Sequence, residues 1–219
     1  MLSVVIPALN AAAALPASLA ALGTLPADIV VVDGASTDAT VAVALAHGAR
    51  VVSAPRGRGG QIAAGVAAAR GEWLLLLHAD TILAPEWAGA AAAFMARGPG
   101  RAAYFRFALD SPDPRARRLE KRVAWRCRRL GLPYGDQGLL IARTLLDAAG
   151  GIGALPLMED VDLVRRLGRP RLVGLDVAAV SSAARWQGEG WRRRSARNLA
   201  CLALYFAGVP PRLIARLYG

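Results

Sequence analysis

Apolar positions along this chain fall into short blocks that alternate between two periods. Leu2–Pro7, Ile29–Val32, Val51–Ala54 and Trp73–Leu77 are continuous or nearly continuous apolar runs, the pattern of strands buried on both faces of a parallel sheet. Between them lie stretches of helical character. One is Ala12–Leu22 behind Asn10, and another runs to about Ala46 behind Ser36, Thr37 and Asp38. Gln61–Arg70 is a third, after a flexible Gly57–Gly60 loop, and a fourth starts at Pro85 and runs to about Arg97. Asn10 and the Ser36–Asp38 group are N-capping residue types, and proline suits a first helical turn. Strand and helix in alternation predict a doubly wound, mostly parallel sheet flanked by helices, with right-handed crossovers.

The second half is less regular. Ala102–Leu109 reads as a strand and Pro112–Leu130 as a strongly basic helix. In that helix Ala116, Leu119, Val123, Cys127 and Leu130 recur at three- and four-residue spacing, so one face is apolar. Gly138–Ile141, Leu172–Leu175 and Val177–Val180 are strand candidates, and Glu159–Leu167 is a short helix. Trp191–Tyr218 is a basic, then apolar helical segment broken at Pro210-Pro211. With no internal repeat and no long linker, the expectation is one α/β domain over residues 1–190 and a C-terminal basic, amphipathic helical extension over 191–219.

A length of 219 residues supports one sizeable core, and a hydrophobic content of 55% argues against global disorder. The net charge of +11 rests almost wholly on arginine, since Lys121 is the sole lysine. Such a surface attracts phosphates, whether on nucleotides, lipid headgroups or nucleic acid. No nucleic-acid-binding module is present, so nucleic acid is not the expected partner. Cys127 and Cys201 are too few for a disulfide framework or a zinc site and read as buried thiols. Met1 leads straight into an apolar strand without a basic leader, and the longest strongly apolar stretch, Leu199–Val209, is too short to span a bilayer. A cytoplasmic location is expected. Arg192, Arg193, Arg194 and Arg197 beside Trp191, Tyr205 and Phe206 also suit a peripheral helix at the inner membrane face.

Three polar clusters follow successive apolar runs, where open α/β sheets bind ligands. Asp33, directly after Val30-Val31-Val32, can accept hydrogen bonds from a ribose or base, and Gly34 permits close backbone approach. Arg56-Gly57-Arg58-Gly59-Gly60 places two guanidinium groups in a glycine-rich segment that opens a helix, a setting for phosphate. His78-Ala79-Asp80 ends the fourth run; Asp80 is a hard oxygen ligand for Mg²⁺ or Mn²⁺, and His78 is acceptable to Mn²⁺. Neither a G-x-G-x-x-G fingerprint nor a G-x-x-x-x-G-K-[ST] loop occurs. Further along, Glu159-Asp160 opens a helix, Tyr134-Gly135-Asp136-Gln137-Gly138 forms a polar turn entering a strand, and Arg185-Trp186 can offer a guanidinium and a stacking surface.

In order and spacing, Ile6-Pro7-Ala8-Leu9-Asn10, Asp33-Gly34-Ala35-Ser36-Thr37-Asp38, Arg56-Gly57-Arg58-Gly59 and His78-Ala79-Asp80 resemble the nucleotide-sugar half of family 2 glycosyltransferases. His78-Ala79-Asp80-Thr81, Gly135-Asp136-Gln137-Gly138 and Met158-Glu159-Asp160-Val161-Asp162-Leu163 are most similar to the radical-SAM/selenodomain-associated transferase 2 subgroup. The resemblance covers nearly the whole chain. It implies a GT-A-type, Rossmann-like fold with a nucleotide-binding half over 1–100 and an acceptor half over 101–190. It implies a metal-dependent, inverting transfer of sugar from a nucleotide diphosphate, a UDP-sugar foremost, to an acceptor it does not identify; of a small-molecule and a lipid-linked acceptor, the latter would fit a basic helix at the membrane face.

By the same resemblance, Pro7, Asn10, Asp33, Gly34, Arg58 and Gly59 would bind the nucleotide. Asp80 would hold a Mn²⁺ or Mg²⁺ ion with the diphosphate, and His78 stands where the family has the first Asp of its Asp-x-Asp motif. Asp160 would be the base that takes the acceptor's proton, with Glu159 as the competing candidate. From their own chemistry, Asp136 and Gln137 of the polar turn and Arg185 and Trp186 are candidates for contact with donor sugar or acceptor. Two other readings stay open: a sugar-phosphate nucleotidyltransferase of related fold, and a non-catalytic protein that senses nucleotides or a membrane surface.

Overall fold

A computed structural model describes residues 1–218, and in it eight strands form a single sheet. The first half of the chain alternates as β1 (Leu2–Ala8), α1 (Leu15–Ala21), β2 (Asp28–Asp33), α2 (Thr40–Ala46), β3 (Arg50–Ser53), α3 (Arg58–Ala68) and β4 (Trp73–Leu76). Next come β5 (Thr81–Leu83), α4 (Trp87–Met95), β6 (Ala102–Leu109), α5 (Pro114–Leu130), a 3₁₀ turn (Gly135–Gln137), β7 (Leu139–Ala142) and α6 (Arg143–Ala148). The remainder is α7 (Glu159–Leu167), a 3₁₀ turn (Arg169–Arg171), β8 (Leu172–Ser181), α8 (Ala184–Glu189), α9 (Trp191–Phe206) and α10 (Pro211–Tyr218).

The strand order is β3-β2-β1-β4-β7-β6-β8-β5. Strands β1 to β4 are mutually parallel, as are β6 and β8, while β7 and β5 run antiparallel to their neighbours. The continuous apolar runs have the cause inferred from the sequence, because both faces of the sheet are covered. Val4, Ile6, Leu75 and Leu77 point to one side, against Leu15 and Leu19 of α1 and Trp87 and Phe94 of α4. Val5, Leu74 and Leu76 point to the other, against Ile62 of α3, Leu146 of α6 and Leu163 of α7. Burying each such side chain contributes about 1.5–3 kcal/mol, so β4 is anchored from both sides.

Several boundaries differ from those read off the sequence. Asn10 does not cap α1, which starts at Leu15. Instead Asn10 adopts φ 49°, its Oδ1 accepts the Thr37 N–H at 2.8 Å, and its own N–H donates to Ser36 Oγ at 2.9 Å. Asp38 likewise accepts the Ala12 N–H at 3.1 Å as well as the Thr40 N–H at 2.9 Å. These polar side chains tie two adjacent strand–helix loops together, a use of the same acceptors that a single-helix reading cannot foresee. The Gly57–Gly60 segment is not a loop. Gly57, at φ 146°, makes the turn and α3 begins at Arg58. Tertiary packing of Gly59 outweighs its poor helix propensity. Leu172–Leu175 and Val177–Val180 are one strand, β8, with a register irregularity opposite Phe105/Arg106. The short strand β5 was not anticipated.

Both cysteines are free and buried. Cys201 of α9 and Ile214 of α10 pack with Met158 and Val161, so the C-terminal helices cover the start of α7. No helix among the described residues is long and apolar enough to cross a membrane.

Candidate active site

The parallel strands β1, β2 and β4 end along one edge of the sheet, and that edge carries the polar clusters. Ala8 and Asp33 are register partners at the ends of β1 and β2, while His78 and Asp80 follow the end of β4. Beside them opens a cleft of about 730 Å³, lined by Arg58, His78, Asp80, Asp136, Asp160 and Arg185 among others. Residues far apart in sequence therefore share one concave site, bounded further out by α5 and α9.

Asp160 is fixed by the backbone. Its Oδ2 accepts the Gly135 N–H at 2.7 Å and its Oδ1 accepts the Val161 N–H at 2.8 Å. Gly135 in turn lies so near His78 that a Cβ there would sit 2.6 Å from His78 Nε2 and 3.3 Å from Asp160 Oδ2. Glycine is required at this position by close approach. Glu159, next to Asp160, points the other way: it is 2% exposed and neither of its oxygens has a hydrogen-bond partner. Its nearest opposite charge is Arg58, with Nε 3.6 Å from Oε1. Burial, together with the neighbouring Asp160 charge, pushes the Glu159 carboxyl up to about 7 against the pull of Arg58. Asp160 thus faces the cleft while Glu159 lies beneath it.

The other carboxylate of the floor, Asp136, is pushed up to about 6, chiefly by burial; Arg126 opposes this, and Asp160 and Asp80 add to it. Its Oδ1 is buried without a partner. His78 has its Nε2 buried without a partner. Burial first, and then the charges of Arg58 and Arg185, hold its imidazole well below the ordinary value. The ring is neutral near pH 7, which is the form that ligates metals. Among the described residues no three His, Cys, Asp or Glu side chains converge as a metal cage. A neutral His78 with an unpartnered nitrogen and Asp80 in the same cleft do fit an ion completed by a ligand's phosphate oxygens, the usual manner of Mg²⁺.

The remaining nominated residues divide into those at the cleft and those committed elsewhere. Arg185 and Trp186 line it; Trp186 also packs against Phe107, with ring centroids 6.5 Å apart. Asp33 sits at the strand-end edge and accepts the Ser36 N–H with both oxygens at 3.2 Å. Gly34 leaves no room for a side chain, because the Gln61 amide would lie 2.8 Å from a Cβ. Pro7 borders a small apolar recess shared with Glu159 rather than the main cleft. The Asn10 side chain is engaged with Thr37, as above. Gly59 is held against the segment before α7, donating its N–H to the Leu155 carbonyl at 3.1 Å, and a Cβ would lie 2.4 Å from the Gly153 carbonyl oxygen. Gln137 does not reach the cleft: it is 1% exposed, its amide donates to the Phe105 carbonyl at 2.9 Å, and its Oε1 accepts the Tyr134 N–H. Gln137 holds the turn that presents Gly135 and Asp136.

Residues 3–155 match the family model described as glycosyl transferase family 2. The chain belongs to this family. Uncharacterised glycosyltransferases of Mycobacterium bovis and Mycobacterium tuberculosis are 47% identical to it over 81 residues, which is 36% of this chain and 36% of each relative. The matched segment is therefore about a third of those proteins. Among solved structures, glucosyl-3-phosphoglycerate synthase from M. tuberculosis in complex with Mn²⁺ and UDP-glucose is similar at TM-score 0.65 and 22% identity, over 96% of this chain and 80% of that one. The 1–349 portion of TarS from S. aureus is similar at TM-score 0.66 and 16% identity, over 99% and 69%. The glycosyltransferase fold is thus of GT-A type: a mostly parallel sheet flanked by helices, with the C-terminal helical extension packed against it.

The residues nominated from sequence account for only part of the cleft lining. Arg118, Arg122 and Arg126 of α5 and Arg192 of α9 also line the cleft. Their signal was available in α5, where Arg115, Arg118, Arg122 and Arg126 recur at three- and four-residue spacing. Tyr134, the first residue of the polar turn, lines the cleft too, and the Arg126 guanidinium stacks 3.6 Å from its ring centroid.

Proposed function

We propose that this chain is a metal-dependent, inverting glycosyltransferase that transfers a sugar from a nucleotide diphosphate, a UDP-sugar first of all, to a small-molecule or lipid-linked acceptor. The observation that carries the reading is the Asp160 carboxylate, fixed by the Gly135 N–H in the same cleft as Asp80 and His78. Family membership supports the reaction class. UDP-glucose with Mn²⁺ and UDP with Mg²⁺, bound in the glucosyl-3-phosphoglycerate synthase structures, support the donor and the ion.

Inversion at the anomeric carbon requires a nucleophile from the face opposite the leaving diphosphate, and a base to take its proton. Asp160 fills that role: it faces the cleft, and two backbone N–H groups hold its carboxylate in place. Burial makes Glu159 the less suitable of the two for that role, and its charge partner Arg58 would meet the donor phosphates. Asp33 at the end of β2 is placed for the ribose or base. Asp80 and His78 would hold a divalent ion, which when bound supplies Lewis-acid neutralisation of charge on the departing diphosphate. Arg185 adds a cationic group at the same end, and Trp186 a surface for sugar. Residues 1–100 serve as the donor half and 101–190 as the acceptor half. The His78-Ala79-Asp80 form and the Gly135–Gly138 turn favour the radical-SAM-associated subgroup. A cytoplasmic location with peripheral membrane contact through α9 and α10 suits a lipid-linked acceptor.

Calorimetric binding of nucleotides and nucleotide sugars with Mn²⁺, followed by transfer assays with Asp160→Asn, tests the proposal. Donor binding is expected to persist in the variant while transfer falls by roughly 10²–10⁴-fold. Unchanged transfer removes Asp160 as the base. Donor binding without transfer by the wild-type chain favours the sensing protein, and no nucleotide binding at all refutes the donor site.

A further inference from the structure

The cleft does not end at the donor-side carboxylates. It continues between α5 and α9, where Arg118 and Arg122 come from one helix and Arg192 from the other. Arg118 and Arg122 are four residues apart and share a helical face, beside Leu119 and Val123, which line the same cleft. Several other arginines nearby are already engaged, and Arg185 lies at the His78 end of the cleft. Arg115 pairs with Asp113, Arg117 with Glu120, and Arg194 and Arg197 with Glu189. Arg126 is held by the Leu132 carbonyl at 2.8 Å and by its stack on Tyr134. Among the described residues, Arg118, Arg122 and Arg192 make no ion pair and no hydrogen bond. Unpaired like charges gathered in a concavity repel one another and focus a positive potential, an arrangement that an incoming polyanion relieves.

We propose that the acceptor carries a phosphomonoester, bound by Arg118, Arg122 and Arg192 in the outer part of the cleft, with its sugar-accepting hydroxyl directed toward Asp160. This rests on the glycosyltransferase reading above. A phosphate offers several strong acceptor oxygens to planar guanidinium forks approaching from two helices, which a lone carboxylate matches less well. The donor diphosphate belongs at the opposite end, beside Arg58, His78 and Asp80, so these three arginines are left for the second substrate. The apolar side chains between them are compatible with a soluble phosphorylated compound or with a lipid phosphate headgroup, and the experiment separates the two.

The full chain, saturated with UDP and Mn²⁺ to block the donor end, is titrated with glycerol 3-phosphate and, separately, with phosphatidylcholine vesicles with and without phosphatidic acid. At least one phosphate probe is expected to bind, whereas glycerol and pure phosphatidylcholine do not; binding of the first identifies a soluble acceptor and of the second a lipid one. R118Q/R122Q is expected to weaken that binding by roughly tenfold or more while leaving UDP affinity unchanged, with partial recovery in R118K/R122K. R128Q/R129Q removes the same charge from α5 outside the cleft and is expected to bind like the wild type. Failure of both phosphate probes, or equal weakening by R128Q/R129Q and R118Q/R122Q, overturns the proposal. If the wild-type chain binds no UDP, the donor reading fails separately and the phosphate titrations are read without it.

Discussion

Glu159 should make the stability of this protein depend on pH in a direction opposite to that of most carboxylates. Its ordinary value of 4.5 rises to about 7 in the folded state, because burial and the adjacent Asp160 charge disfavour ionisation more than Arg58 favours it. Between those two values the folded chain holds a proton that the unfolded chain has released, so stability falls as pH rises through that window. The contribution of Glu159 is fully present below the ordinary value and is lost above the folded one. At about 1.4 kcal/mol per pKa unit, the shift amounts to about 3 kcal/mol, or roughly 6–12 °C in melting temperature for a chain of this length. The test is Glu159→Gln, melted by circular dichroism at about pH 4.5 and pH 8 beside the wild type. Glutamine stays neutral but brings two donors into a place where neither carboxylate oxygen finds a partner. The informative quantity is therefore the change in the difference between the two proteins, not the difference at one pH. Asp136 also titrates high, yet it does so in both chains and cancels. The variant should gain on the wild type by roughly the full 3 kcal/mol between the two conditions. Melting temperatures that shift in parallel would refute the claim that Glu159 pays for its burial.

Three further outcomes follow from contacts described above or at the far end of the strands. Gly59→Ala drives a Cβ to 2.4 Å from the Gly153 carbonyl oxygen, so it should cost about 1–3 kcal/mol in urea denaturation; an unchanged midpoint would show that this segment yields. Asp28 accepts from Ser3 Oγ at 2.7 Å, Arg50 Nε at 2.9 Å and the Arg70 N–H at 3.0 Å. Asp28→Ala should therefore cost about 2–3 kcal/mol near pH 7, with a smaller penalty in acid: burial acts to raise the Asp28 carboxyl, but these partners outweigh it and hold it low, so their contribution is lost as pH falls. Chelation of divalent ions should abolish sugar transfer while leaving the melting temperature of the ligand-free chain unmoved, because no protein-only metal cage is found among the described residues.

The alternating half of the fold was legible because β1 to β4 are local in sequence and each buries both faces, so every strand announces itself as an apolar run. What escaped were features decided by partners elsewhere in the chain. Strand β5 has three residues and exists because β8 lies beside it, and β8 tolerates an irregularity that its sequence does not display. Asn10 and Asp38 were recognised as capping types, yet their acceptors satisfy N–H groups of the neighbouring loop. The same distinction separates the site residues. Asp33, Asp80 and Asp160 were visible as carboxylates at element ends. Gln137, equally polar and in an equally polar turn, faces inward because the Phe105 carbonyl needs a donor.

The turn Gly135–Gln137 shows why the site could be nominated from sequence but not assembled. His78 follows a central strand, Asp160 lies in the first turn of a helix, and they are brought together by a residue with no side chain. Gly135 gives Asp160 a hydrogen bond through its N–H and lets His78 Nε2 approach through its missing Cβ. Motif spacing assigns roles to His78 and Asp160 separately, whereas the structure makes them neighbours across one backbone unit. A histidine at this position is then more than a choice of ligand type. A second carboxylate there would put another negative charge beside Asp160 and Asp136 in a recessed floor already crowded with them. A neutral imidazole keeps a ligating nitrogen without adding that repulsion. The histidine is thus coupled to Asp160, and the proposed ion site and the proposed base position are set by the same turn.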